Sequence, residues 1–217
     1  MSENFLSQPN SLAKSSHEII NPYVGEIVDY PGTGKIVVVI GYHSLEKEWG
    51  KLVREQFKRN VADHGQKVHF LEVNSPVSTG EDSPALNAQI AECLRNSGEV
   101  EMVIDIHEHP ESKATRVSNS WSLTTGNSEV SEKAKTAIRG LRVYPFDDYS
   151  RSRTGGKNIP YVISDPDLPQ EAVDAALKGN ISPEIQQALN DTMSLIVSIS
   201  NIQLETSARG KEKKTNE

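Results

Sequence analysis

Apolar residues along the chain follow two alternating patterns, one typical of buried strands and one typical of amphipathic helices. Residues 35–41 (KIVVVIG) form an apolar run without polar alternation, which predicts a central strand covered on both faces. In residues 45–61 apolar side chains recur every three or four positions, which predicts a helix with one buried face. The same patterns predict further strands at 25–30, 67–73, 100–106 and 159–163, and further helices at 83–95, 128–138, 170–177 and 183–202.

Strands that alternate with helices indicate parallel strands joined by crossover helices. The predicted fold class is therefore α/β, with a mostly parallel sheet and helices on both faces. Ligands of such sheets bind at the carboxyl ends of the strands, where the connecting loops leave the sheet. We therefore expect candidate chemistry in four segments: 41–46, 74–82, 107–116 and 164–167.

The two ends of the chain differ in composition from its middle. Residues 1–22, rich in Ser, Asn and Gln over much of their length, predict a flexible N-terminal segment. Residues 206–217 (TSARGKEKKTNE) contain four basic and two acidic residues and predict a disordered basic tail. Residues 23–205 are then expected to form a single α/β domain of the catalytic type.

Charge and cysteine content exclude several classes of function. With 30 acidic and 23 basic residues the formal net charge is −7, whereas a nucleic-acid-binding protein needs a cationic surplus. No apolar run approaches the length of a bilayer span, and the first twenty residues lack the apolar core of a signal peptide. The single cysteine, Cys93, excludes an intramolecular disulfide and fits a reducing compartment, so a cytoplasmic location is expected.

Potential metal ligands follow two of the predicted strands. His43 and Glu46 come directly after the strand at 35–41, and on a turn that enters a helix this spacing points both side chains the same way. His107 stands at the carboxyl end of the strand at 100–106, on the same edge of the sheet. Two imidazoles and one carboxylate are the ligand set of a catalytic zinc ion with an open fourth position. The sequence thus predicts one Zn²⁺ per chain, although nickel and cobalt accept the same ligands.

Other interpretations of these residues stay open. His107 and His109 would lie on one face of an extended strand, which would leave His43 outside the site. In a metal-free α/β scaffold, His43 and His107 would lie far apart. Asp105 is either an acceptor that orients a ligand or simply the end of its strand.

The segment 35–109 resembles the aspartoacylase and succinylglutamate desuccinylase family and related zinc carboxypeptidases. Residues 41–46 (GYHSLE) are similar to the family's G-x-H-x-x-E element, and residues 105–107 (DIH) are similar to its D-L-H element. The resemblance implies a zinc carboxypeptidase-like fold in which His43, Glu46 and His107 bind the metal. It further implies hydrolysis, by a metal-activated water, of an amide bond in a small N-acylated amino acid or a peptide end, a substrate that carries a carboxylate.

The sequence departs from this family where substrate is bound. The family's Asn-Arg pair, which holds the substrate carboxylate, is absent between the two metal elements. Arg116, Arg151 and Arg153 are candidate replacements, because a guanidinium binds a carboxylate through two hydrogen bonds. Arg116 is also a candidate donor to the oxyanion formed at the carbonyl. Tyr161 is a further candidate hydrogen-bond donor to substrate.

A second departure concerns the general base. The family places a glutamate at the end of a late strand, whereas the strand-like run IPYVISD here ends in Asp165. We expect Asp165 to act as the general base, with a strand-ending turn as the alternative role and Glu108 as a weaker candidate. Because of both departures, a non-catalytic protein that keeps the fold and binds a metal or ligand is the alternative function.

Overall fold

The computed structural model describes residues 24–29, 33–44, 46–60, 66–74, 76–78, 83–96, 100–107 and 118–215. Within these ranges the strands are, in chain order, β1 (Val24–Asp29), β2 (Thr33–Ile40), β3 (Gln66–Val73), β4 (Met102–Ile106), β5 (Ser118–Thr124), β6 (Arg142–Tyr144) and β7 (Tyr161–Asp167). The helices are α1 (Glu46–Asn60), α2 (Pro84–Asn96), α3 (Ser128–Ala137), α4 (Asp148–Arg153), α5 (Gln170–Leu177) and α6 (Pro183–Thr215).

These strands form one sheet in the order β1-β3-β2-β4-β7-β5-β6. The central strand β2 is parallel to β3 and to β4, and β4 is parallel to β7. Antiparallel pairs occur nearer the edges, where β1 lies against β3 and β5 against β7. The predicted α/β class with a mostly parallel sheet is therefore confirmed.

Helices cover both faces of the sheet, as the sequence predicts. On one face α1, α3, α5 and α6 enclose a core that includes Val38 of β2 and Ile104 of β4. On the other face α2 and α4 pack over Val37 and Val39 of β2 and Val103 of β4. Because successive residues of β2 enter opposite cores, its segment 36–40 is apolar throughout.

A glycine in α1 sets the close approach of this helix to β2. Trp49, Val53 and Phe57 form the buried stripe of α1, at the spacing expected of a helix packed on a sheet. A Cβ atom at Gly50 would lie only 2.7 Å from the Cβ of Ile40, so no larger residue fits without displacement. The first residue of α1 is thereby held near the carboxyl end of β2.

Three elements were not predicted from the sequence. β5 contains alternating serines at Ser118, Ser120 and Ser122, so it lacks the apolar run of a buried strand. Its strand conformation comes from pairing with β7 along its whole length. β6 has only three residues and α4 only six, which is too short for either to show a hydrophobic period.

The ends of the chain relate to the predicted segments in different ways. The predicted flexible segment, residues 1–22, lies outside the described residues. At the other end α6 continues from the predicted residue 202 to Thr215, which differs from the disordered tail expected at 206–217. No helix among the described residues is long and apolar enough to cross a membrane.

Candidate metal centre

Three side chains with metal-binding atoms meet at the carboxyl ends of β2 and β4. One ligand atom from each of His43, Glu46 and His107 can be chosen so that all three lie within 4.8 Å of one another. The ring centroids of the two histidines are 5.4 Å apart. The structure thus brings together the three residues that the sequence predicts as ligands. The alternative in which His43 and His107 lie far apart is wrong.

The loop that carries His43 is held in place on both sides. Gly41 has a φ of +76°, a left-handed conformation that lets the chain turn sharply out of β2. Beyond it, Val77 N donates to Tyr42 O (2.9 Å) and Ser44 N donates to Val77 O (3.0 Å). These two hydrogen bonds tie the His43 backbone to the segment that follows β3.

Glu46 begins α1 and joins the two imidazoles. Its Oε1 atom lies 2.7 Å from Nδ1 of His43 and 2.9 Å from Nδ1 of His107. Its Oε2 atom accepts a hydrogen bond from His43 N at 3.0 Å. Glu46 and His107 are buried and His43 is nearly so, so the cluster is largely screened from solvent.

The second nitrogen of His107 faces another carboxylate. Nε2 lies 3.0 Å from Oδ2 of Asp105, which precedes His107 by two residues and is completely buried. This placement leaves Nδ1 of His107 directed toward Glu46. A carboxylate on the outer nitrogen of a metal-binding histidine fixes its orientation and tautomer, which is the orienting role considered for Asp105.

Charges in the cluster shift the pKa values of its members strongly. Burial lowers the pKa of His107, but the carboxylates of Asp105 and Glu46 outweigh burial and raise it to about 10. Burial raises the pKa of Glu46, and hydrogen bonds from His107 and His43 outweigh it, so the net pKa is below the ordinary value. For Asp105 burial is likewise outweighed, chiefly by His107 and Arg153, and its pKa falls well below the usual range. In the absence of a metal, the site therefore favours the protonated, positively charged form of His107 beside ionised Glu46 and Asp105.

The donor set fits a zinc ion. Two neutral imidazole nitrogens and one carboxylate oxygen are a known catalytic zinc ligand set. Here Nδ1 of both histidines lies close to the same oxygen of Glu46, and one ligand atom from each residue lies within 4.8 Å of the others. Asp105 supplies the outer partner that such a histidine ligand usually has.

Asp105 is also the meeting point of two residues predicted to bind substrate. Arg153 donates from Nη1 to Oδ2 of Asp105 at 2.6 Å, and the hydroxyl of Tyr161 donates to the same oxygen. Both residues are only 1% exposed. The guanidinium of Arg153 and the hydroxyl of Tyr161 thus bind Asp105 in this structure. The contact with substrate that the sequence predicts for these two residues stays a prediction.

Asp165 lies on β7, the strand that pairs with β4. β4 and β7 pair Asp105 with Ile163 and Ile106 with Ser164, and His107 N continues the ladder by donating to Ser164 O at 2.7 Å. One further step in this register would bring His107 level with Asp165, on the same face of the sheet. Asp165 is half-buried, and its role as general base stays a prediction.

Among the remaining residues considered from the sequence, the structure describes Arg151 and Cys93. Arg151 is exposed on α4, with Nε 3.6 Å from Oδ1 of Asp148 and its guanidinium over the ring of Phe146. Arg116, like Glu108 and the alternative ligand His109, lies outside the described residues. Cys93 is half-buried on α2 and packs against the core.

Sequence reasoning missed one part of the site, the aromatic surroundings of Arg153. Its Cζ atom lies 3.5 Å from the ring centroid of Tyr42 and 4.5 Å from that of Tyr149. Tyr42 stands next to His43 in the sequence, but nothing in the pattern links it to a residue more than a hundred positions later. The predicted ligand motif contains Tyr42, but it does not indicate that Tyr42 packs against Arg153.

No family profile matches this chain, and no curated protein sequence is similar to it. Solved structures that resemble it include the CwlD amidase from Clostridioides difficile, determined with the GerS lipoprotein, at 13% identity over 78% of this chain and 98% of that chain, with a TM-score of 0.49. Bacteriophage poly-gamma-glutamate hydrolase is 11% identical over 88% of this chain and 93% of that chain, with a TM-score of 0.47.

A third similar structure comes from the family that the sequence resembles. It is a putative succinylglutamate desuccinylase / aspartoacylase family protein from Shewanella amazonensis, 11% identical over 81% of this chain and 67% of that chain, with a TM-score of 0.44. At such identities, and with TM-scores below 0.5, these three similarities carry no information on the substrate or chemistry of this chain.

Proposed function

We propose that this protein is a zinc-dependent hydrolase that cleaves an amide bond in a small N-acylated amino acid or a peptide end. The observation that supports it most is the convergence of His43, Glu46 and His107 at the carboxyl ends of two neighbouring parallel strands. A bound zinc ion would polarise the scissile carbonyl and lower the pKa of a water molecule to about 7. Everything else in the reaction falls to residues of the chain.

His43, Glu46 and His107 hold the metal, and Asp105 orients His107 from behind. Because Asp105 is buried and low in pKa, its carboxylate stays ionised beside Nε2 of His107. Nδ1 of His107 is thereby the nitrogen offered to the metal. The burial of Glu46 and His107 keeps competing water away from these donors.

Asp165 is the proposed general base. The pairing of β7 with β4 supports this role, because one further step in its register would bring Asp165 level with His107. In this role Asp165 accepts a proton from the attacking water and returns it to the leaving amine. Its short side chain requires substrate to approach β7 closely.

Arg116 and Arg151 are the proposed contacts to the substrate carboxylate, with Arg116 also donating to the oxyanion. Arg151 is exposed, and its long contact of 3.6 Å with Asp148 leaves the guanidinium available to an anion. A carboxylate bound by an arginine would be held by two parallel hydrogen bonds. The cytoplasm, as a reducing compartment, is the proposed location.

The test is hydrolysis of a panel of N-acyl amino acids and short peptides by zinc-loaded protein, with release of free amine as the readout. We expect at least one compound to be cleaved by the wild type and by Glu132→Gln, a matched substitution of an exposed glutamate on α3. Glu46→Gln should abolish cleavage because it removes a ligand. Absence of cleavage across the panel, together with a raised melting temperature for one compound, favours the alternative non-catalytic binding protein.

A further inference from the structure

Arg153 is the largest charged side chain that is fully buried among the described residues, and it has no role in the proposed reaction. It ends α4 and is 1% exposed. A guanidinium loses much hydration on burial, so a protein keeps one inside only where it is paired and packed. The contacts of Arg153 therefore indicate what it supports.

The first group that Arg153 holds in place is the carboxylate of Asp105. Nη1 of Arg153 donates to Oδ2 of Asp105 at 2.6 Å, and the same oxygen lies 3.0 Å from Nε2 of His107. The hydroxyl of Tyr161 donates to this oxygen as well. Rotation of the Asp105 carboxylate would break its hydrogen bonds with Arg153 and Tyr161 together. These two residues therefore hold the carboxylate in the orientation that faces His107.

The second group that Arg153 holds in place is the ring of Tyr42. The Cζ atom of Arg153 lies over two aromatic rings, 3.5 Å from the centroid of Tyr42 and 4.5 Å from that of Tyr149. Tyr42 in turn packs edge-on against His43, with ring centroids 4.9 Å apart. Arg153 thus lies against the neighbours of both imidazoles.

The far end of Tyr42 is also fixed. Its hydroxyl donates to Oδ1 of Asn87 at 2.9 Å and accepts a hydrogen bond from Ser83 N at 3.0 Å. With one end held by α2 and one face held by Arg153, the ring has little freedom to move. A fixed Tyr42 ring limits the movement of the His43 ring that packs against it.

The position of Arg153 is set by the short helix that carries it. Asp147 caps α4 by accepting a hydrogen bond from Ser150 N at 2.8 Å, and the buried hydroxyl of Ser150 is bonded to Thr124 of β5. Gly155 follows with a φ of +64°, in close contact with α2 at Ala91. Both ends of the helix are therefore anchored, and Arg153 is directed inward.

We infer that Arg153 is a positioning residue of the metal centre, which holds Asp105 and Tyr42 where they orient His107 and His43. This inference rests on the proposed function, and it replaces the substrate contact predicted for Arg153. A planar guanidinium suits the place because it can donate to a carboxylate through its edge while its face packs on an aromatic ring, a combination that a lysine ammonium does not offer.

The test compares Co²⁺ binding by the wild type, Arg153→Met, Arg153→Lys and Tyr161→Phe. Affinity is measured by competition with a chromophoric chelator, and the visible absorption of bound Co²⁺ reports the ligand geometry. Arg142→Met, a substitution of an exposed arginine on β6, is the matched control. Melting temperatures of the metal-free proteins show which variants are folded.

We expect Arg153→Met to bind Co²⁺ about 10- to 100-fold more weakly and to change its spectrum, as is typical when an outer partner of a metal ligand is lost. Arg153→Lys should recover part of the affinity but not the wild-type spectrum, and Tyr161→Phe should show a smaller loss. Arg142→Met should behave as the wild type.

Wild-type affinity and spectrum in Arg153→Met would overturn the inference and leave the proposed function intact. If Arg153→Met does not fold, unchanged affinity and spectrum in both Arg153→Lys and Tyr161→Phe would overturn it equally. A wild-type protein that binds no Co²⁺ or Zn²⁺ would overturn the proposed function and this inference together.

Discussion

His107 and Asp105, two residues apart at the end of β4, lie on one face of the sheet with Nε2 of the histidine 3.0 Å from Oδ2 of the aspartate. This contact follows from strand geometry, because side chains at i and i+2 stand on the same side. It turns the other nitrogen of His107 toward Glu46, 2.9 Å away. The charge and orientation of the candidate metal centre depend on this one pair.

Removal of the Asp105 charge should destabilise the fold. Asp105→Asn leaves the buried guanidinium of Arg153 without a counter-charge, and breaking a buried pair in this way costs about 3–5 kcal/mol. Denaturant unfolding of the metal-free protein measures the loss. Asp148→Asn, at a fully exposed aspartate, should change the free energy of unfolding by less than about 0.5 kcal/mol. Equal stabilities of the two variants would contradict the role given to Asp105.

The close approach of α1 to β2 gives a second prediction. Gly50→Ala places a methyl group 2.7 Å from the Cβ of Ile40, and such overpacking costs about 1–3 kcal/mol. Because α1 begins at Glu46, a shift of the helix should also weaken metal binding. Thermal unfolding and chelator competition measure the two effects, with Glu55→Ala on the exposed side of α1 as control. A fully stable Gly50→Ala protein would show that the helix is not held so closely.

The general base can be separated from the ligands. Asp165→Asn should lower kcat by about 10²- to 10⁴-fold, because an amide cannot accept the proton, while metal content stays that of the wild type. Steady-state kinetics on any compound cleaved in the panel, with metal analysis of the same samples, gives both values. Asp174→Asn, at an exposed aspartate of α5, should leave kcat unchanged. A small effect of Asp165→Asn on kcat would assign proton transfer elsewhere.

Cys93 gives a prediction on pH dependence. Burial, followed by the charge of Glu92, raises the pKa of its thiol above the ordinary value. The reactive thiolate is therefore scarce at neutral pH and increases about tenfold per pH unit up to that raised pKa. Labelling of the folded protein by a thiol reagent should be slow at pH 7 and accelerate steadily to pH 9, with the denatured protein as control. Rates at pH 7 equal to those of the denatured chain would contradict it.

The core strands and the metal-binding residues could be predicted because local sequence determines them. β2 and β4 lie between two layers of helices, so burial on both faces leaves an apolar run that is easily recognised. His43, Glu46 and His107 follow these strands directly. Because β2 and β4 are parallel, their carboxyl ends meet at one edge of the sheet, so the three residues can be expected there without knowledge of any contact.

The rest depends on partners that are distant in sequence. β5 is a strand because it pairs with β7, not because of its own serine-rich composition. The place of Arg153 beside Asp105, 48 residues earlier, is set by the packing of α4 against α2. α6 extends to Thr215 through residues of high polarity, which composition alone associates with a disordered end.

The most direct test of the metal centre is the metal content of protein purified without chelators. We predict about one equivalent of zinc per chain for the wild type and for Glu132→Gln, and strongly reduced zinc for Glu46→Gln, whose ligand is removed. Less than about a tenth of an equivalent of any transition metal in the wild type, or full occupancy in Glu46→Gln, would contradict a site built on His43, Glu46 and His107.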